Sequence, residues 1–134
     1  MTRRAFTEAE REFLAAPRGL ARIATVDRTG MPHVVPTGWK FDAENGDLLL
    51  TGRDVGATQR VKHLADKPKA AVVIDGVDET EGWKPWALIV RGDATYDEVI
   101  GAIRLNPTAV TSPGNLTPQP STSRRASKPM AYRR

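Results

Sequence analysis

The chain has no cysteine among its 134 residues, which excludes a disulfide framework, a thiolate metal site and a cysteine nucleophile together. Histidine is almost as scarce. His33 and His63 are the only two; neither has a partner at the i, i+4 spacing of a helical metal site, and two imidazoles without a thiolate make a poor structural zinc centre. The four serines, Ser112, Ser121, Ser123 and Ser127, all fall near the C-terminus. With no G-x-S-x-G elbow, no G-x-G-x-x-G turn and no P-loop, hydrolase and kinase readings fall away. Long apolar runs are missing as well: no stretch approaches the ~20 residues that cross a bilayer, and MTRRAFTEAERE carries no apolar signal region. A soluble, cytoplasmic protein with no membrane partner is expected.

The net charge of +4 is unevenly placed. Residues 1–114 hold all 16 acidic and 15 of the 20 basic side chains, a net charge of −1. Arg124, Arg125, Lys128, Arg133 and Arg134 lie in the last 20 residues, among prolines, serines and threonines. That segment offers too little apolar surface to offset its ordering entropy, so 115–134 reads as a disordered basic tail on a single 1–114 domain. Without a basic excess in the folded part, nucleic acid is not an expected partner.

What is present is β pattern. Thr7-Glu8-Ala9-Glu10 is a capping box, predicting a helix over Thr7–Ala16 stopped by Pro17. Leu20–Val26 and Pro32–Phe41 flank the turn Asp27-Arg28-Thr29-Gly30, and Asn45-Gly46, a strong hairpin turn, leads into Asp47–Thr51. A helix over Ala57–Ala65 precedes a strand at Ala70–Ile74. Asp75–Pro85 reads as a loop, Trp86–Tyr96 as a long strand with a bulge at Gly92, and Ile103–Leu105 with Ala109–Thr111 as a last β piece around Pro107. Six strands and two or three short helices, linked mostly by hairpins, point to a mainly β, antiparallel barrel.

The stretch TGRDVGATQRVKHLADKPKAAVVI (51–74) carries the strongest functional signal. A strand empties into a Gly-containing turn with Arg53, and the helix that follows holds Arg60, Lys62 and His63. Cationic groups gathered beyond a sheet end suit a cofactor phosphate, to which they make short charge-assisted bonds; a solvated charged helix face has the same composition. Trp83 and Trp86 bracket Lys84-Pro85. Trp86 reads as core packing, whereas Trp83, in the polar DETEGW, is placed to cover a flat aromatic ligand.

In order and spacing, FTEAEREFL, LARIATVDRTGMPHVVPTGWKFD, TGRDVGATQRVKHLADKPKAAVVID, EGWKPWALIVRGDAT and IRLNPTAV resemble the split β-barrel flavin and deazaflavin proteins of the pyridoxamine 5'-phosphate oxidase-like superfamily, over about residues 6–112. Within it the chain is most similar to the actinobacterial branch that uses the deazaflavin coenzyme F-420. The resemblance implies a homodimer whose cofactor supplies hydride to a polarised double bond of a small acceptor. It assigns the phosphate and acidic tail to Arg53, Arg60 and Lys62 with His63 beside them, the ring to main-chain groups of Val35, Pro36, Thr37 and Thr51, and the cover to Trp83 of a partner subunit. No acid or base stands out, although Lys40 and His33 are conceivable proton donors. FMN on the same barrel is the alternative cofactor, and a non-catalytic cofactor-binding protein the alternative role. The chain departs from the family at Arg60 (usually lysine), Lys62 (usually arginine), His63 (usually asparagine) and Ser112-Pro113-Gly114 (usually Ser-Trp-Gly).

Overall fold

The computed structural model describes residues 5–16, 19–114 and 116. Helix α1 spans Glu8–Leu14, and the capping box forms: Thr7 Oγ1 accepts from Glu10 N at 3.1 Å while Glu10 Oε1 accepts from Thr7 N at 2.9 Å. Six strands follow: β1 Ala21–Val26, β2 Pro32–Asp42, β3 Asp47–Thr51, β4 Lys69–Asp78, β5 Lys84–Asp97 and β6 Ala102–Thr111. Between β3 and β4 lie a 3-10 turn at Val55–Ala57 and helix α2 at Gln59–Asp66. All the ladders are antiparallel, and they close in the order β1-β2-β3-β6-β5-β4.

The closure follows from alternation along the strands. Ile23, Leu48, Leu50, Val72, Ile74, Leu88, Val90, Ile103 and Leu105 turn inward and are almost wholly buried. α1 adds Phe13 and Leu14, with Phe13 stacked near Trp39 at 6.2 Å and edge-on to Trp86 at 5.2 Å. Trp86 lies across Gly76, where a Cβ would come within 2.5 Å of its ring. The Ser112 hydroxyl donates to Glu10 Oε2 at 2.5 Å, tying α1 to the end of β6. Leu116, inside the segment read as tail, is buried with the core; the rest of that segment lies outside the described residues.

Two expectations are corrected. Asp75–Pro85 is not a loop: β4 continues to Asp78 and β5 begins at Lys84, with Asp78 paired to Lys84, so the connection is five residues long. The polar composition of DGVD and KP hid a strand pair that is only half-buried. The last β piece is likewise one unbroken strand. Pro107 fits because β5 and β6 slip register between Arg91 and Gly92, where any Cβ on Gly92 would collide with the Asn106 carbonyl. The irregularity expected at Gly92 absorbs the proline.

The barrel is only partly zipped along β2. Residues 32–37 pair with β1, whereas pairing with β3 begins at Gly38 opposite Thr51. One edge of Pro32–Thr37 therefore keeps main-chain groups that no neighbouring strand takes up.

Candidate functional site

β3 ends at Thr51 and the chain turns sharply through Gly52, Arg53 and Asp54. Asp54 is the sole described non-glycine residue with positive φ, at 49°; Asp tolerates that region better than most residues. The turn delivers α2 with its N-terminus open. Thr58 occupies the capping position, but its hydroxyl donates to the Val55 carbonyl at 2.6 Å and caps no helix amide. The first turn contains no acidic residue and has Arg60 instead. Free amides and a guanidinium thus share the positive end of a helix dipole, an arrangement that favours an anion over either group alone.

Arg60 is the most unusual side chain of the set. An ideal Cβ on Gly52 would lie 3.7 Å from its Nη2, so the guanidinium rests against the β3–α2 turn. Its Nε is buried without a hydrogen-bond partner, and burial pushes its pKa down. Among the described residues no carboxylate pairs with Arg53, Arg60 or Lys62, although Arg22, Arg28, Lys69, Lys84 and Arg104 all have acidic partners. Arg53 and Lys62 are exposed. A partly desolvated cation with a buried, unpaired donor carries a cost that a partner to that donor would relieve. An oxyanion matches that set of donors chemically.

Thr37 and Thr51 meet where β2 joins β3. The Thr37 hydroxyl donates to the Thr51 carbonyl at 2.9 Å and to the Gly38 carbonyl at 3.0 Å, so it is spent on the scaffold. Val35 and Pro36 are exposed on the stretch of β2 with one free edge. These residues can offer main-chain groups. Trp83 is 61% exposed in the β4–β5 connection, and among the described residues no cation–π pair joins it to Arg53, Arg60 or Lys62.

His63 turns away from the cations. Its ring is buried, with Nδ1 2.8 Å from Thr25 Oγ1, and its centroid is 4.5 Å from that of His33. Sequence reasoning grouped it with Arg60 and Lys62 by proximity. The inward-facing Thr25, in β1 alternation with Ile23 and Ala21, was the signal that the helix would need a polar group facing the barrel. Asp27, Thr25 and His33 were missed as a group for the same reason.

Among the described residues there is no group of three metal-ligating side chains, and no helix is long and apolar enough to cross a membrane.

Comparison with known proteins agrees with the fold. The profile of the pyridoxamine 5'-phosphate oxidase family matches residues 6–106. A 5a,11a-dehydrotetracycline/5a,11a-dehydrooxytetracycline reductase of Streptomyces rimosus is 35% identical over 89 residues, covering 66% of this chain and 62% of that protein. The matched part is thus less than two thirds of the relative's length. Among solved structures, a FAD-binding protein from Mycobacterium smegmatis aligns at TM-score 0.60 and 24% identity, over 80% of this chain and 93% of that one. An F-420 reductase aligns at TM-score 0.58 and 20% identity, over 79% and 98%. At such identities the two structures speak for the barrel alone. The profile match spans most of the chain, and it takes in both the open cationic turn and the half-zipped β2: the protein belongs to the pyridoxamine 5'-phosphate oxidase family of split-barrel proteins.

Proposed function

We propose that the protein is a coenzyme F-420-dependent reductase that delivers hydride to a polarised double bond of a small-molecule acceptor. The observation that carries the reading is Arg60: a partly buried guanidinium with a buried, unpartnered Nε at the uncapped start of α2. It is supported by the reductase name of the Streptomyces rimosus relative. Arg60, Arg53 and Lys62 would hold the phosphate and acidic tail, and the free edge of Val35–Thr37 with Thr51 would meet the ring. When bound, the deazaflavin supplies the hydride. The chain's own contribution is grip, orientation and exclusion of water. FMN is the second reading, because a phosphate grip does not distinguish two tricyclic rings.

The same reading takes the protein as a homodimer. Met31 and Val34, on and beside the free-edged half of β2, and Trp83 are exposed apolar side chains, and a body this small encloses a tricyclic ligand poorly by itself. Trp83 of a second copy would then close the ring site. Separate incubation with F-420 and with FMN, followed by ring fluorescence and retention through a desalting column, tests the assignment. Retention of F-420 is expected. Retention of FMN alone would transfer the site to the second reading, and retention of neither would remove the cofactor reading. Light scattering that gives a monomer would remove the shared site.

A further inference from the structure

The β1–β2 hairpin carries a feature that the cofactor reading leaves unused. Thr25 and His33 are directly opposed across the β1–β2 ladder, and the ring of His63 from α2 docks on this pair. Thr25 Oγ1 lies 2.8 Å from Nδ1, and the His33 ring is tilted 43° against it at 4.5 Å. His33 is itself fixed: its Nε2 lies 2.9 Å from Asp27 Oδ2. The other Asp27 oxygen accepts from Thr29 N, Thr29 Oγ1 and Met31 N. These bonds hold the Asp27 carboxyl well below the usual carboxylate range, the Thr29 hydroxyl first and His33 second.

We propose that His63 is a positioning residue, a proton-sensitive lock that seats α2 on the Thr25–His33 pair and thereby sets the geometry of Arg60 and Lys62. The inference rests on the anion-site reading for its consequence, though not for the lock itself. α2 is eight residues long and lacks a side-chain N-cap, so side chains must fix its position. Leu64 and His63 are its two buried residues. Of these two only His63 makes a hydrogen bond to the barrel, and it follows Arg60 by one helical turn; at the far end of α2 the exposed Asp66 accepts from Arg28 of the β1–β2 turn at 3.2 Å.

The hydrogen bond between Thr25 Oγ1 and Nδ1 of a neutral His63 runs in the direction that the ring tautomer sets. Protonation fixes Nδ1 as a donor and puts a positive charge in a buried position, beside the imidazole of His33. Apart from Asp27, which is bonded to His33, the neighbouring charged groups offer the His63 ring no compensation. Arg28 and Asp66 pair with each other, Lys69 pairs with Asp93, and Arg60, Lys62, Lys67 and Arg91 are cationic. Among the described residues no side-chain bond links Tyr96 or any of these to the His63 ring. Two imidazolium rings at this separation repel, and the seat of α2 loosens.

The test uses the full-length apo protein. Amide hydrogen-exchange protection factors for α2, corrected for intrinsic exchange, should fall about tenfold between about pH 7.5 and 5.5, a coupling of ordinary size. His63→Asn places an amide near Nδ1 but does not titrate, and His33→Gln removes the second charge from an exposed position. Both should flatten the response. Inorganic sulfate, which stays a dianion over this range, serves as the probe of the cationic turn; its affinity should fall in parallel in the wild type and stay level in His63→Asn. Constant α2 protection in the wild type, or an unchanged response in both variants, would overturn the lock. Loss of protection with unchanged sulfate affinity would overturn its link to Arg60. If sulfate does not bind at any pH, the anion-site reading fails and the amide protection alone decides the lock.

Discussion

Arg60 and Arg104 are partly buried arginines on one small barrel, and they are treated in opposite ways. Arg104, on β6, sits in a ring of carboxylates. Its Nη1 donates to Asp42 and Asp47 at 2.9 Å each, and Nε and Nη2 reach Asp97 at 3.3 Å. Asn106 donates to the other Asp47 oxygen at 3.0 Å, closing the network. These bonds raise the Arg104 pKa and lower that of Asp42 to about 2, the Asn45 side chain contributing first and Arg104 next. Arg60 has no such ring, and burial alone acts on it. One site completes its electrostatics within the chain and joins β2, β3, β5 and β6. The other is left open at a strand-to-helix turn. The difference separates a cation paired within the fold from one left without a carboxylate partner.

Breaking the closed site should give the largest effect. Arg104→Met leaves three carboxylates facing one another and should cost about 2–3 kcal/mol, the low side for a broken buried pair because the guanidinium is not fully enclosed. That corresponds to a fall of roughly 10 °C in Tm for a domain of this size, read by calorimetry, with sulfate or cofactor affinity unchanged. The network also makes a pH prediction. The folded pKa of Asp42, about 2, lies below its ordinary 3.8, so the unfolded chain binds the proton more readily. The stability this contributes is present above about pH 4 and is lost as pH falls toward 2. Acid titration of the wild type should show that loss between these limits, and Arg104→Met should show less of it.

Arg60→Ala should do the reverse. A charge-assisted bond to phosphate contributes about 1.5–3 kcal/mol, so cofactor affinity should drop roughly ten- to hundredfold by fluorescence titration. Tm should hold or rise slightly, since the variant removes a desolvated, unpaired cation. A fall in Tm with constant affinity would make Arg60 a packing group and erase the contrast with Arg104.

This contrast was only half legible in the sequence. The capping box at Thr7 and Glu10, the Asn45-Gly46 turn and the Gly92 irregularity rest on local chemistry, so residues a few positions apart sufficed to find them. The strand ends at Asp75–Asp78 and Lys84–Pro85 did not announce themselves, because a half-buried hairpin tolerates polar and proline residues that otherwise signal loops. The clustering of Arg53, Arg60 and Lys62 after β3 was visible, but their lack of carboxylate partners was not. Pairing is a property of the closed barrel: Arg104 meets Asp42 and Asp47 across some sixty positions of sequence. His63 shows the same limit from the other side. Its neighbours in sequence are cations, but its neighbours in space are Thr25 and His33.

The smallest expected effect sharpens the comparison most finely. Lys62 is exposed on α2 and, among the described residues, has no acidic partner. If it acts on the ligand through the field alone, Lys62→Ala should lower cofactor affinity by about 0.5–1 kcal/mol, the scale of an exposed ion pair, which is roughly a two- to fivefold loss. Such a contribution is screened: the Debye length is about 10 Å at 0.1 M salt and about 3 Å at 1 M. The Lys62→Ala defect should therefore fade as salt is raised toward 1 M. The Arg60→Ala defect should persist, because a guanidinium in direct, partly desolvated contact with the anion is screened far less. Equal salt sensitivity of the two defects would place Arg60 in the solvated field with Lys62, and its buried Nε would then need another explanation.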